Sequence, residues 1–386
     1  MVTFPMGGFV MKFYFNDSDN DAIDDESFVI LTVKESISAL IYDAELILTY
    51  ETGLLLRLNS AEKLKIVVEP IPGSPNVTAQ TPITTMKFIV GGTTLDRGKS
   101  KTHLYSGLSP ILMKNNINKG YRGSVADVMR SVGTTIGVSS SEIDTVTANS
   151  RVFLQCNESY LRFMRRLSGY ASVAGGGLSS GAQFCAFIDK SDKLYFKNVG
   201  QAAATDPILS TLTDQVSSYR LDVNRYAMGI QGGYGLRYGY FDWDSGEYVT
   251  DSYEFESRIA GKKFGVNRTM IDDNNRYLAL GTVAAGSGSQ PIYPVLAYNK
   301  NRVENYVLRK NYFNVSFSAF IKGDFALKPL KKIKLMHIFY GEGLDEYLSN
   351  EYLIFSITHM FSKDGFVAEI HAFVNGNPTS NSHFLN

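Results

Sequence analysis

The sequence is poor in the residues that usually announce chemistry. It has two cysteines, Cys156 and Cys185, in 386 residues. That is too few for a disulfide framework or a four-cysteine zinc site. Both lie in apolar-rich segments, so buried free thiols are expected. There is one tryptophan, Trp243, and there are five histidines, none in an H-E-x-x-H pattern or a close pair. There is no excess charge of either sign, because Lys+Arg and Asp+Glu are both 38. A nucleic-acid protein usually shows a basic surplus, so only local patches are left for such a role. No apolar run reaches about 18 residues, the least a membrane-spanning helix needs. The start, "MVTFPMGGFVMKFYFND", lacks a basic end and an apolar stretch, so no signal peptide and synthesis in a cytoplasm are expected.

What is present is β-rich. Hydrophobic residues make up 44% and charged residues 20%, which favours a packed core over disorder. Early on, "GFVMKFYF" (8–15), "SFVILTV" (27–33), "LIYDAELILTYE" (40–51), "KLKIVVEP" (63–70) and "MKFIVGG" (86–92) are β-branched and aromatic runs. Five short strands separated by turn signals predict a small antiparallel barrel or sandwich. Late in the chain, "YFNVSFSAFI" (312–321), "KKIKLMHIFY" (331–340), "YLIFSITHMF" (352–361) and "GFVAEIHAFV" (365–374) predict a second β-domain. Between 225 and 300 lie aromatic-rich strands around a "DSG" turn (244–246), then a flexible loop within 281–294. The tail "NGNPTSNSHFLN" is polar. At 386 residues, two or three domains are expected.

The middle has a different texture. "GSVADVMRSVGTTIGVS" (123–139) spaces Val125, Val128, Met129, Val132 and Ile136 at helical intervals. Ser124 and Asp127 are placed like a capping box. "LQCNESYLRFMRRLSGYASVAGGG" (154–177) predicts a second helix, capped by Asn157 or Ser159. Its apolar stripe is Tyr160, Phe163, Met164 and Leu167, and Gly169 with Gly175 to Gly177 ends it. Arg162, Arg165 and Arg166 fall mainly on the other side, solvated or against a neighbouring chain. So short a helix is marginal alone, and its stripe must bury against a sheet. "AQFCAFIDKSDKLYFKN" (182–198) predicts a hairpin turning at "DKSDK".

No motif supports catalysis. "GLSSG" (177–181) matches G-x-S-x-G with Ser179 in the nucleophile place. That elbow needs a strand before the serine and a helix after it. Here a helix precedes and a strand follows, so a loop is expected. "DSDNDAIDDESF" (17–28) starts like a calcium loop with Asp17, Asp19 and Asp21. It puts Ala22 where the sharp turn needs glycine and Phe28 where a bidentate glutamate belongs. A solvated loop is expected, with opportunistic cation binding as the alternative. His337, His359 and His371 lie in predicted strands and could meet in a sheet; satisfied structural histidines are the expectation. The aromatics, 24 Phe and 23 Tyr, suit core and sheet surface. No catalytic, cofactor-binding or metal-ligating residue is assigned, and no cofactor is expected.

Element order carries more information than any one motif. A small β-domain, two capped helices, a hairpin and a second β-domain resemble the central hub proteins of phage tail baseplates, which share their fold with the base of type VI secretion spikes. Three places carry the resemblance. "SVADVMRSVGTTIGV" with "LQCNESYLRFMRRLSGYA" is similar to the family's helix, strand, polar turn and helix ending like "FLRRLA". "AQFCAFIDKSDKLYFKN" resembles its hairpin with a "dG-L-x-F" return. "FIKGDFALKPLKKIKL" with "YLIFSITHMFSKDGFVAEIHAFV" resembles its closing strands. Three departures stand out. Phe325 replaces a small residue or proline, Leu330 follows Pro329 where glycine is usual, and Asp189 precedes "KSDK" with no glycine.

The resemblance implies a mainly β fold with a smaller α+β part: two small tube-type β-barrels joined by a helix-containing segment. It implies a first barrel at 1–110, a connecting segment at 111–200, a second barrel at 201–376 with a β-rich insertion around 225–300, and a tail at 377–386. The implied function is structural and non-enzymatic. A homotrimer with two barrels per chain would present six units, matching a sixfold tail tube to a threefold spike. The implied partners are a separate spike protein, a tube or tube-initiator protein, and possible tape-measure and baseplate wedge proteins. DNA would pass through the lumen. The implied place is the virion tail, with no stable membrane insertion. A β-rich surface or secreted glycan-binding protein, using exposed Tyr and Trp243, is the alternative.

Overall fold

The computed structural model describes residues 9–16, 18, 23, 27–49, 62–70, 84–144, 151–171, 184–203, 205, 208–212, 218–223, 236–242, 247–253, 277–283, 315–324, 327–339, 343–363 and 365–374. The first strands are β1 (Phe9–Phe15), β2 (Phe28–Ser36), β3 (Asp43–Thr49), β4 (Lys63–Pro70), β5 (Thr84–Asp96) and β6 (Lys99–Ser106). They pair in the order β1-β4-β5-β6-β3-β2, each neighbour antiparallel. Inward side chains from all six strands, among them Phe13, Leu31, Leu46, Ile66, Phe88 and Leu104, pack into one core. A flat sheet could not bring both ends of that order to one core, so this half-sheet is curled.

There are six strands here, where the sequence suggested five. β5 does not stop at Gly91 and Gly92 but runs on to Asp96 and turns into β6. A Cβ at Gly91 would lie 2.6 Å from the Tyr105 ring, so this glycine allows a close cross-strand approach. β6, "KSKTHLYS", hides in the sequence because it turns Ser100, Thr102 and Ser106 inward beside Leu104.

The middle region holds α1 (Ser109–Met113), β7 (Ile117–Gly123), α2 (Val125–Ile136), β8 (Ser140–Ile143), β9 (Arg151–Glu158) and α3 (Tyr160–Tyr170), then β10 (Phe184–Ile188), β11 (Lys193–Asn198) and α4 (Val199–Ala203). Ser124 and Asp127 close the capping box on α2, and Gly137 at φ 84° ends it in the left-handed region that glycine favours. Ser159, not Asn157, caps α3 by accepting from the Arg162 N–H. α3 runs through Gly169 to Tyr170; Gly175 to Gly177 lie outside the described residues.

The stripe Tyr160, Phe163, Met164 and Leu167 is buried as expected. It packs with α2 and the β10–β11 hairpin in a second core. Phe163 stacks on Tyr121 with ring centroids 5.1 Å apart. Full burial of one such side chain contributes about 2–3 kcal/mol.

The last region holds β12 (Leu209–Leu212), β13 (Ser218–Val223), β14 (Leu236–Asp242), β15 (Glu247–Tyr253) and β16 (Tyr277–Val283), then β17 (Val315–Lys322), β18 (Lys332–Phe339), β19 (Gly343–Ser362) and β20 (Gly365–Val374). β14, β15 and β16 form a sheet of their own. β16 takes in 277–283, and the rest of the expected loop lies outside the described residues. β19 pairs with β2, so the order continues β2-β19-β20-β17-β13 and a single 12-stranded sheet spans both ends of the chain. The fold is thus mainly β with curled sheets and a smaller helical part.

β19 serves two cores. Tyr352, Ile354 and Ile357 belong to the core of the last strands, whereas Phe361 belongs to that of β1–β6. The change of core falls between Ile357 and Phe361, at His359.

Candidate functional site

That crossover point holds three buried ionisable side chains, Glu35, Lys190 and His359. β2 alternates Leu31, Val33 and Glu35 inward, and β19 does the same with Ile357, His359 and Phe361. Antiparallel pairing sets His359 opposite Val33 and Ile357 opposite Glu35, so Glu35 and His359 are diagonal neighbours. The turn of the β10–β11 hairpin inserts a third group, Lys190.

Lys190 Nζ lies 3.0 Å from Glu35 Oε2 and 3.1 Å from His359 Nε2, and His359 Nε2 lies 3.0 Å from the same carboxylate oxygen. The Lys190 backbone N–H donates to Glu35 Oε1 at 2.8 Å. The side chains of Glu35 and His359 are fully buried and that of Lys190 is 5% exposed. The triangle therefore joins three distant pieces of chain.

Burial alone would push the Glu35 carboxyl up. The Lys190 ammonium and His359 outweigh it and hold Glu35 well below the usual carboxylate range. Burial, and then the Lys190 ammonium, push His359 down to about 4 against the pull of Glu35. At neutral pH the cluster is thus one carboxylate, one ammonium and a neutral imidazole. The imidazole proton belongs on Nε2, where it donates to Glu35. On Nδ1 it would be a buried donor with no acceptor, because that atom has no hydrogen-bond partner.

The turn is pinned around this contact. Asp189 Oδ1 accepts from the Ser191 and Lys193 N–H groups, each at 3.0 Å. Asp192 sits at φ 58°, the left-handed position a three-residue hairpin loop requires. Aspartate tolerates that region, so the absence of a glycine in "DKSDK" leaves the turn intact. The Tyr42 hydroxyl donates to Asp192 Oδ1 and lies equally near the Lys87 carbonyl, both at 2.9 Å. Lys328 Nζ approaches the Tyr195 hydroxyl at 3.1 Å and Asp189 Oδ2 at 3.5 Å. Leu330, the second glycine replacement, also keeps the left-handed conformation at φ 63° while its N–H donates to the Ile354 carbonyl at 2.9 Å. Phe325 lies outside the described residues.

The sequence-predicted positions fare variously. Ser179, the aspartates Asp17, Asp19 and Asp21, and Trp243 all lie outside the described residues. Among the described residues, no cluster of three or more His, Cys, Asp or Glu could hold a metal ion, and no helix is long and apolar enough to cross a membrane. Cys185 is buried as expected; Cys156 is exposed on β9. His359 and His371 do not meet: His371 Nδ1 instead contacts the Ser318 hydroxyl at 2.8 Å.

The three arginines separate. Arg162 is exposed. Arg165, also exposed, reaches the Ser38 carbonyl at 3.3 Å. Arg166 pairs with Glu158, donates to the Leu154 carbonyl at 2.6 Å and lies over the Phe163 ring. The Glu35–Lys190–His359 triangle was missed in the sequence, although Glu35 and His359 fall in phase with inward apolar residues.

The architecture has known counterparts. The tail protein of Neisseria meningitidis MC58 superposes with a TM-score of 0.59 at 9% identity, covering 95% of this chain and 96% of that one. A 43 kDa tail protein of prophage MuSo2 from Shewanella oneidensis gives a TM-score of 0.55 at 12% identity, with the same coverage of 95% and 96%. This chain has the fold of phage tail proteins. At such identities the tail-protein likeness is one of fold. No protein-family model matches the sequence, and no curated protein is detectably similar to it. Within this tail-protein fold, the triangle marks where the first strands, the last strands and the helical segment come together.

Proposed function

We propose that the chain is a structural protein of a phage tail, the baseplate hub that adapts a sixfold tail tube to a threefold spike. The observation that carries this reading is the single sheet in which two groups of strands, each with its own core, are joined through β2 and β19. The tail-protein fold over 95% of the chain supports it. In this reading residues 1–110 and 201–376 each supply one ring unit and 111–200 bridges them. Three copies then form a ring of six units around a lumen for the genome. The tube or its initiator would bind one side, and a separate spike protein the other. Tape-measure and wedge proteins would be further neighbours. The role is non-enzymatic and the location is the virion.

Two measurements test it together. Sedimentation of the purified chain gives its mass, and reconstruction of tails carrying a tagged copy gives its place. A trimer located between tube and spike is expected. A monomer in solution that is also absent from tails would overturn the reading.

A further inference from the structure

The seam between β2 and β19 contains a group poised against protonation by its geometry. His359 Nδ1 is buried with no hydrogen-bond partner, and the Lys190 ammonium stands 3.1 Å from the other ring nitrogen. A second ring proton would create an N–H with nothing to donate to. It would also place two cations against one carboxylate, Glu35. We propose that the Glu35–Lys190–His359 cluster is an acid-operated latch: a proton taken up at His359 Nδ1 drives the Asp189–Asp192 turn out of the seam while β2 and β19 stay paired.

The surroundings favour movement of the turn over movement of the strands. β2 and β19 are held by a seven-residue ladder from Ser36–Ser356 to Ile30–Ser362, and β20 flanks β19 on its other side. The turn is held by separate point contacts in place of a ladder: Lys190 on Glu35 and His359, Asp192 on the Tyr42 hydroxyl and the Ser139 N–H, and the Ile188 N–H on the Leu40 carbonyl at 2.7 Å. The other charges around His359 do not cancel a new proton. Asp324 exerts only a weaker attraction than Glu35. Asp189 is engaged by the turn N–H groups and Lys328, and Asp192 by Tyr42. Lys34 and Glu369 flank Thr358 in the pairing, on the opposite face of β19. Burial and Lys190 hold His359 near 4, so the latch would open in mild acid.

Amide hydrogen exchange on the full chain between pH 7 and pH 4 tests the latch. The expected result is a loss of protection at Ile188 and Lys190 of about tenfold or more on acidification, while the β2–β19 ladder amides keep theirs. In His359→Gln, whose side-chain amide can still donate to Glu35, the turn should stay protected at both pH values. Turn protection that persists in the parent at pH 4, or turn and ladder amides that open together, would overturn the proposal. If His359→Gln does not fold, the parent decides alone: the His359 ring resonance must titrate with the midpoint at which Lys190 loses protection. Separate midpoints would overturn it.

Discussion

Two charge clusters in this molecule use similar residues in opposite settings. In the seam, Lys190 and Glu35 pair at 3.0 Å with side-chain exposures of 5% and 0%. On α3, Arg166 pairs with Glu158 at exposures of 35% and 17%, and its neighbour Arg165 is exposed. Water screens the second cluster and not the first. The seam charges must satisfy one another, because an unpaired buried charge costs far more than a surface pair returns. The difference teaches that an ion pair's place in the fold, more than its chemistry, sets what its loss costs.

The largest effect should come from breaking the seam. Glu35→Ala leaves the Lys190 ammonium and its N–H without their acceptor. Urea unfolding should show a loss of about 3–5 kcal/mol. Phe163→Ala should cost about as much, roughly 3–5 kcal/mol, but for an apolar reason: it removes a fully buried ring stacked on Tyr121. The two can be told apart by pH, since only the Glu35 variant should change the acid branch of the stability curve.

The acid branch follows from His359. Its folded value, about 4, lies below the ordinary 6.5, so the folded state resists a proton the unfolded chain accepts. The stability from keeping this ring neutral is complete above about pH 6.5 and is lost as pH falls through about 4, a swing of about 3 kcal/mol. Glu35, held low as well, loses its contribution only at still lower pH. Thermal unfolding between pH 7 and 4 should show the fall in the parent and a flatter curve in His359→Gln. Smallest of all, Arg165→Ala should stay within about 0.5 kcal/mol of the parent by the same unfolding measurement.

Much of the fold was legible because its elements obey simple periods. β4 and β20 were bounded correctly in the sequence, and the α2 capping box was visible in Ser124 and Asp127. The α3 face was legible because only Tyr160, Phe163, Met164 and Leu167 form an apolar stripe. β6 was hidden because its inward positions are mostly serine and threonine, and β8 and β12 have only four residues each.

The triangle was half legible. Glu35 and His359 keep the inward phase of their strands, so a charged or titratable residue stood in a core position, and that signal was readable. Lys190 lies in a hairpin turn, where lysine is ordinary, and no local pattern reveals that the turn is buried. The pairing of β2 with β19 brings together residues 324 positions apart, a contact no local pattern encodes.

A pair of double-mutant cycles tests the comparison most directly. One cycle uses Glu35→Gln and Lys190→Met; the other uses Glu158→Gln and Arg166→Met. Both are read by denaturant unfolding at pH 7. The buried pair should show a coupling energy of about 2–3 kcal/mol, and the α3 pair less than about 1 kcal/mol. Equal couplings, or a larger one on α3, would contradict the claim that the seam charges lock three parts of the chain together.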